Sequence, residues 1–217
     1  MTVPTTTDSS RRAPTSGPRT RPRRADVRKQ VLQAATTAFA SHPYGEVSVA
    51  AIAAAAGFTK GAVYSNFGGK PQLFAAVLAE QFTGYLGSAV TDAVAAIDAG
   101  GSAGAARAVA RSLTSALVRD QRLPALLAEF RALAVRDPEL APVYAELRLR
   151  QRLELQQLLV EVADRLPIAP PLAPEVAATL LLTCVNSLSL EYAAAPTSVP
   201  EPLIESMLTY VVSGILA

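Results

Sequence analysis

Hydrophobic residues recur at helical spacing along most of the chain. Val27, Val31, Ala35 and Phe39 form one apolar stripe, which predicts a first helix over residues 24–41. The same spacing predicts helices over 102–119, 122–136, 174–194 and 201–216, and a long one from Asp137, its N-cap, to about residue 166. Long runs of alternating β-branched residues are absent, so we expect an all-α fold of about nine helices.

Residues 48–70 are the most informative stretch, with the sequence SVAAIAAAAGFTKGAVYSNFGGK. Ser48 and Thr59 each predict the start of a short helix, because their side chains can cap a helix N-terminus. Gly57 ends the first of these helices, since only glycine enters the left-handed conformation without steric cost. Two short helices around a tight turn are typical of a helix-turn-helix, whose second helix enters the DNA major groove. Its predicted exposed side carries Lys60, Tyr64, Ser65 and Asn66.

Charge is unevenly distributed along the 217 residues, although the net charge is only +2. Residues 1–75 hold 10 Lys and Arg against 3 Asp and Glu, whereas the remainder holds 10 against 15. A basic N-terminal third on an acidic body indicates that one end meets a polyanion. Residues 1–22, rich in Thr, Ser, Pro and Arg, are expected to be disordered, either as a solvated tail or as a basic arm on DNA.

Several classes of protein are disfavoured by the same sequence. Its one cysteine, Cys184, rules out a disulfide within the chain and fits a reducing cytoplasm. One histidine and one cysteine cannot build a usual zinc site. Because no uninterrupted apolar run reaches about 18 residues, we expect no membrane-spanning helix. Glycine-rich nucleotide motifs and a G-x-S-x-G elbow are also missing, so we expect neither an enzyme nor a cofactor.

The stretch from Ala56 to Lys70 resembles the DNA-binding pattern of the tetracycline-repressor (TetR) family. The shared residues are Ala56-Gly57-Phe58-Thr59-Lys60-Gly61, Tyr64, Phe67 and Lys70, followed by Leu73 and Phe74. The resemblance implies a three-helix DNA-binding domain over 23–69 and a larger helical effector-binding and dimerisation domain over 70–217. It also implies a set of DNA-contacting residues. To these we add two arginines near the basic arm and Ser48, which either lies near a phosphate or only caps its helix. The set is Arg24, Arg28, Ser48, Thr59, Lys60, Gly61, Tyr64, Ser65, Asn66 and Lys70.

The last two predicted helices carry broader apolar surfaces than one packing partner requires. They lie either in the middle of a core or against a second copy of the chain in a four-helix bundle. The family resemblance implies the second arrangement. The residues expected at this dimer interface are Leu181, Val185, Leu188, Met207, Tyr210, Val211 and Gly214.

The resemblance also implies a small apolar effector of unknown identity, bound among the middle helices. Aromatic candidates for the pocket wall are Phe82, Tyr85, Phe130 and Tyr144, although a core position is the preferred interpretation of each. Together these features predict a cytoplasmic, ligand-relieved repressor that binds a palindromic double-stranded operator as a homodimer. The alternative is a helical protein-binding adaptor with a non-specific basic DNA tether.

Overall fold

Nine α-helices make up the regular structure of the described residues, which are 23–100, 102–119, 121–166 and 169–216 of a computed structural model. The all-α prediction is confirmed. The predicted arm, residues 1–22, lies outside the described residues. In chain order the helices are α1 (Arg24–Ser41), α2 (Val49–Ala55), α3 (Lys60–Phe67), α4 (Lys70–Gly100), α5 (Ser102–Arg119), α6 (Arg122–Arg136), α7 (Leu140–Ala163), α8 (Pro174–Ala194) and α9 (Glu201–Leu216).

The helix α7 runs from Leu140 to Ala163, a shorter span than predicted. Asp137 caps it as predicted, because its carboxylate accepts the backbone N–H of Glu139 at 2.8 Å and its carbonyl accepts the N–H of Ala141 at 3.1 Å. Asp137 is itself extended, with φ −120° and ψ 111°, which is the usual conformation of an N-cap, so the residues between Asp137 and Leu140 form the first turn. At the other end, Leu166 N–H bonds back to the carbonyl of Ala163 at 2.9 Å. This tighter spacing closes the helix three residues early.

Buried side chains form two clusters. The first, here called the head core, joins α1, α2 and α3 to the start of α4, the end of α6 and the start of α7. The second, the body core, joins the rest of α4 to α5, α7, α8 and α9. The N-terminal helices α1 to α3, here called the head, therefore pack directly against the rest of the protein, α4 to α9, here called the body. This contact crosses the domain boundary that we predicted at residues 69 and 70.

A chain of aromatic rings runs through the head core. Phe39 of α1 lies 4.6 Å from Phe74 of α4, measured between ring centroids, and Phe74 lies 5.1 Å from Phe130 of α6. Phe130 in turn meets Tyr144 of α7 edge-on at 5.6 Å. All these spacings are within the range in which aromatic pairs attract each other beyond simple burial.

Two helices could cross a membrane on length and composition alone, namely Lys70–Ala99 and Pro174–Ala194. Our expectation of none considered only uninterrupted apolar runs, whereas these segments include an occasional charge. Core helices of soluble proteins meet the same test, and α4 and α8 both supply residues to the body core.

Candidate nucleic-acid interface

The turn between α2 and α3 fixes the angle of the helix-turn-helix. Gly57 has a φ of +75°, a left-handed conformation that favours glycine. Phe58 N–H donates to the carbonyl of Ala53 at 2.8 Å, and Gly57 N–H donates to that of Ala54 at 3.1 Å. These two bonds define a Schellman motif, which satisfies the last carbonyls of α2. The glycine predicted to end α2 therefore does so through a defined hydrogen-bond pattern.

One side of α3 is held against the head core, and the opposite side faces solvent. Val63 is fully buried and Phe67 nearly so, and both pack into the head core. Lys60, Gly61, Tyr64 and Ser65 are exposed, with 44% of Tyr64 accessible. A helix of 8 residues is too short to be stable alone, so this packing is what presents its polar side. The structure thus brings these four predicted residues onto one surface.

The two predicted capping residues keep a hydroxyl proton available. Ser48 Oγ accepts the N–H of Ala51 at 3.1 Å, and Thr59 Oγ1 accepts that of Ala62 at 3.3 Å. Within the part of the chain that is described, neither hydroxyl proton has an acceptor. Each side chain can therefore cap its helix and donate to a phosphate oxygen at the same time.

Arg24 and Arg28 reach from α1 to the C-terminal end of α3. Arg24 donates to the carbonyl of Ser65 at 3.2 Å, and Arg28 donates to that of Asn66 at 3.1 Å. The Arg28 guanidinium also lies 4.5 Å from the centre of the Phe67 ring. Cations near a helix C-terminus offset its partial negative charge, so both arginines stabilise the position of α3. Each retains further N–H groups for a phosphate, so the predicted DNA contact stays a prediction.

Asn66 and Lys70, the remaining two residues predicted to contact DNA, are only partly exposed. Asn66 is half-buried and donates to the carbonyl of Ala62 at 2.7 Å, while its own Oδ1 has no partner within the described residues. The ammonium of Lys70 lies 4.3 Å from the centre of the Tyr44 ring. This spacing is that of a cation–π interaction. Burial raises the pKa of Tyr44 to about 12, with a smaller contribution from Asp137. Burial lowers the pKa of Lys70, and nearby Glu129 opposes that shift.

Gly61 offers a test of how closely a ligand approaches α3. A Cβ built there meets nothing nearer than Thr59 Oγ1 at 3.8 Å, so the protein itself does not require glycine. We expect Gly61→Ala to leave thermal stability equal or higher, because alanine favours helix by about 0.5–1 kcal/mol. We expect DNA affinity to fall about tenfold if the DNA backbone lies against this position. Thermal melting and gel-shift titration measure the two effects.

Gly87→Ala, in α4 and with open space around it, is the matched control. It should gain similar stability without changing DNA binding. If Gly61→Ala binds DNA as tightly as the control variant does, close approach at residue 61 is wrong.

Two of the four aromatic pocket candidates line a cavity in the body. Phe82 and Tyr85 contribute to its wall, whereas Phe130 and Tyr144 belong to the head core. The cavity holds about 780 Å³ of empty space, part of which is open to solvent. Most of the residues that line the cavity are aliphatic and belong to α4, α5, α6 and α8. The apolar stripes in the sequence did not indicate that these four helices enclose a cavity. Its polar residues are Tyr85, Gln151, Asn186 and Ser189.

The predicted dimer residues divide into two groups. Leu181 and Leu188 are buried within the protomer, and Leu181 and Val185 line the cavity. On α9, Met207 and Gly214 are exposed, Tyr210 is 82% accessible, and Val211 is half-buried. Leu203 of α9 and Val176 and Leu180 of α8 are also exposed apolar residues.

Comparison with known proteins identifies the class. Residues 31–77 match the family described as bacterial regulatory proteins, tetR family, and residues 102–217 match the C-terminal domain of BetI-type transcriptional repressors. A helix-turn-helix on a helical body of this type defines a DNA-binding transcriptional regulator. The chain belongs to the TetR family. Its function is therefore regulation by binding an operator on DNA, and not enzymatic catalysis, as the sequence predicted.

Solved structures share the fold at low sequence identity. A structure assigned to a TetR-family regulator from Mesorhizobium loti is 24% identical, with a TM-score of 0.66 over 90% of this chain and 98% of that one. A TetR-family regulator from Rhodococcus sp. is 20% identical, with the same TM-score over 89% and 100%. FadR from Bacillus subtilis, solved in complex with stearoyl-CoA, is 21% identical with a TM-score of 0.59 over 86% and 98%. Among curated proteins no match is found.

Proposed function

We propose that the protein is a homodimeric repressor that leaves a palindromic operator when a small apolar effector occupies its body. The observation that carries this proposal is the combination of an outward polar α3 with a separate, largely aliphatic cavity bounded by α4 and α6. Two such heads would contact half-sites about 34–36 Å apart, or a multiple of that distance. The site of action would be the bacterial cytoplasm, where the DNA is.

The effector would act through its difference in affinity for two arrangements of the body. Only a ligand that binds one arrangement more tightly can shift the equilibrium. The cavity is lined mainly by apolar side chains with a few polar groups, which is the usual composition of a small-molecule site. FadR, which shares the fold, is seen with stearoyl-CoA, and this supports a ligand with a long apolar part.

Selection of bound fragments from genomic DNA tests the DNA half of the proposal. We expect enrichment of one near-palindromic sequence, bound at least about a thousandfold more tightly than random DNA at physiological salt. Affinity that depends on salt but not on sequence would indicate the tether alternative. The genes beside the enriched sequence would then identify candidate effectors for release assays.

Dimerisation depends, in this proposal, on the exposed stripe of α9. Large apolar side chains exposed in one patch mark interaction surfaces, and Met207 and Tyr210 lie one turn apart. We expect the double variant Met207→Ala, Tyr210→Ala to dimerise about 10–100-fold more weakly, as is usual when two interface anchors are truncated. Sedimentation equilibrium measures the change.

Val135→Ala is the matched control, since Val135 of α6 is equally exposed at 82% but lies on another helix. It should leave the association constant unchanged. A wild-type protein that stays monomeric at micromolar concentration would rule out the α8–α9 interface.

A further inference from the structure

A groove between α7 and α8 contains two arginines without a counter-charge. Arg148 and Arg152 lie one helical turn apart on α7, opposite Thr179 and Thr183 of α8. The ion pairs of the described residues join Arg111 to Glu205 and Arg150 to Glu146, and involve neither groove arginine. The two guanidinium groups therefore concentrate positive charge in a concave part of the surface.

Burial makes these charges costly. Arg152 Nε is buried and has no hydrogen-bond partner within the described residues. Burial lowers the pKa of Arg148; Tyr144 opposes this shift and Arg131 of α6 adds to it. A buried N–H that makes no hydrogen bond destabilises the protein, and such groups are rare in native structures, so this N–H is expected to have a bound partner.

The groove adjoins the cavity through one shared residue and one hydrogen bond. Leu182 lines both, and Gln151, which lines the cavity, accepts a hydrogen bond from Arg148 at 2.7 Å. Gln151 is itself only 4% exposed, so this bond connects the polar wall of the cavity directly to the arginine pair. Asn186 and Ser189 of α8 lie in the same cavity lining.

We propose that the effector is an anionic amphiphile, whose apolar chain fills the cavity and whose carboxylate or phosphate group binds Arg148 and Arg152 in the groove. This inference rests on the proposed function and specifies the chemistry of its ligand. Guanidinium groups suit both anions, because their N–H groups match the spacing of two oxygens. Leu182 and the Gln151–Arg148 bond lie where the chain meets the headgroup.

Titration calorimetry of the dimer with decanoate and 1-decanol tests this proposal, because the two share a chain and differ in charge. We expect decanoate to bind about tenfold more tightly. Arg152→Gln should remove that advantage and leave 1-decanol unchanged, whereas Arg152→Lys should keep most of it. Arg150→Gln is the matched control: Arg150 is an exposed arginine of the same helix that pairs with Glu146. Decyl phosphate and decanoyl-CoA distinguish a phosphate source from a carboxylate.

The outcomes separate this inference from the proposed function. If decanoate and 1-decanol bind equally and Arg152→Gln changes neither, the anion site is wrong while the cavity proposal stands. If no chain binds but operator DNA does, the apolar effector itself is wrong. If Arg152→Gln weakens self-association instead, the arginines pair with a carboxylate of a second copy, and the amphiphile proposal is overturned.

Discussion

Replacing Phe74 by alanine is expected to lower the free energy of unfolding by about 3–5 kcal/mol, because a large side chain is removed from a packed core. Phe74 is fully buried at the point where the head meets the body. Its ring lies 4.6 Å from that of Phe39 and 5.1 Å from those of Tyr44 and Phe130, between centroids. Its loss would leave a cavity bordered by α1, α4 and α6 that none of them can fill alone.

Urea unfolding followed by circular dichroism measures this loss. Tyr64→Ala is the control, since Tyr64 is an exposed aromatic of the same head and its truncation should change stability by no more than about 0.5 kcal/mol. A loss below about 1 kcal/mol for Phe74→Ala would mean that α1, α4 and α6 do not pack tightly around Phe74 in the head core.

The second large effect is expected on DNA recognition. Lys60 is exposed at the start of α3, and its ammonium lies 5.7 Å from the centre of the Tyr64 ring. We expect Lys60→Ala to reduce discrimination between the operator and altered sequences by about 1–3 kcal/mol per half-site, or roughly twice that in a dimer, since lysine can donate to a guanine edge. Tyr64→Ala should instead weaken binding to all sequences alike, as the loss of a phosphate contact does.

Titration of each variant against the selected operator and against single-base changes, at one fixed salt concentration, separates these roles. The control is the Tyr64→Ala stability measurement above, which shows that the head remains folded. If both folded variants bind every sequence like the wild type, the assignment of this surface to DNA is wrong.

Local signals explain why the helix-turn-helix could be predicted residue by residue. Ser48, Gly57 and Thr59 act on backbone groups within five residues of themselves, so their effect can be predicted from the neighbouring sequence. The cap of α7 could be predicted for the same reason. The Asp137 carboxylate and carbonyl accept the N–H groups of Glu139 and Ala141, two and four residues away.

Long-range contacts account for what the sequence could not predict. Helical periodicity shows that a face is apolar, but not which helix covers it. Leu188 and Met207 were both expected at the dimer interface, yet Leu188 is buried within the protomer and Met207 is exposed. Likewise, Arg24 and Ser65 are 41 residues apart in sequence, so no spacing rule could have revealed their hydrogen bond.

The loop between α1 and α2 is tied to α6 by one hydrogen bond, in which Tyr44 N–H donates to Glu129 at 2.8 Å. Leu127, only two residues earlier on α6, lines the body cavity. At a rise of about 1.5 Å per residue, roughly 3 Å of rigid helix separates the level of the cavity wall from that of the bond to the head. A shift of the α6 backbone at Leu127 would therefore also move Glu129, so the cavity and the loop of the DNA-binding head are joined through less than one turn of α6.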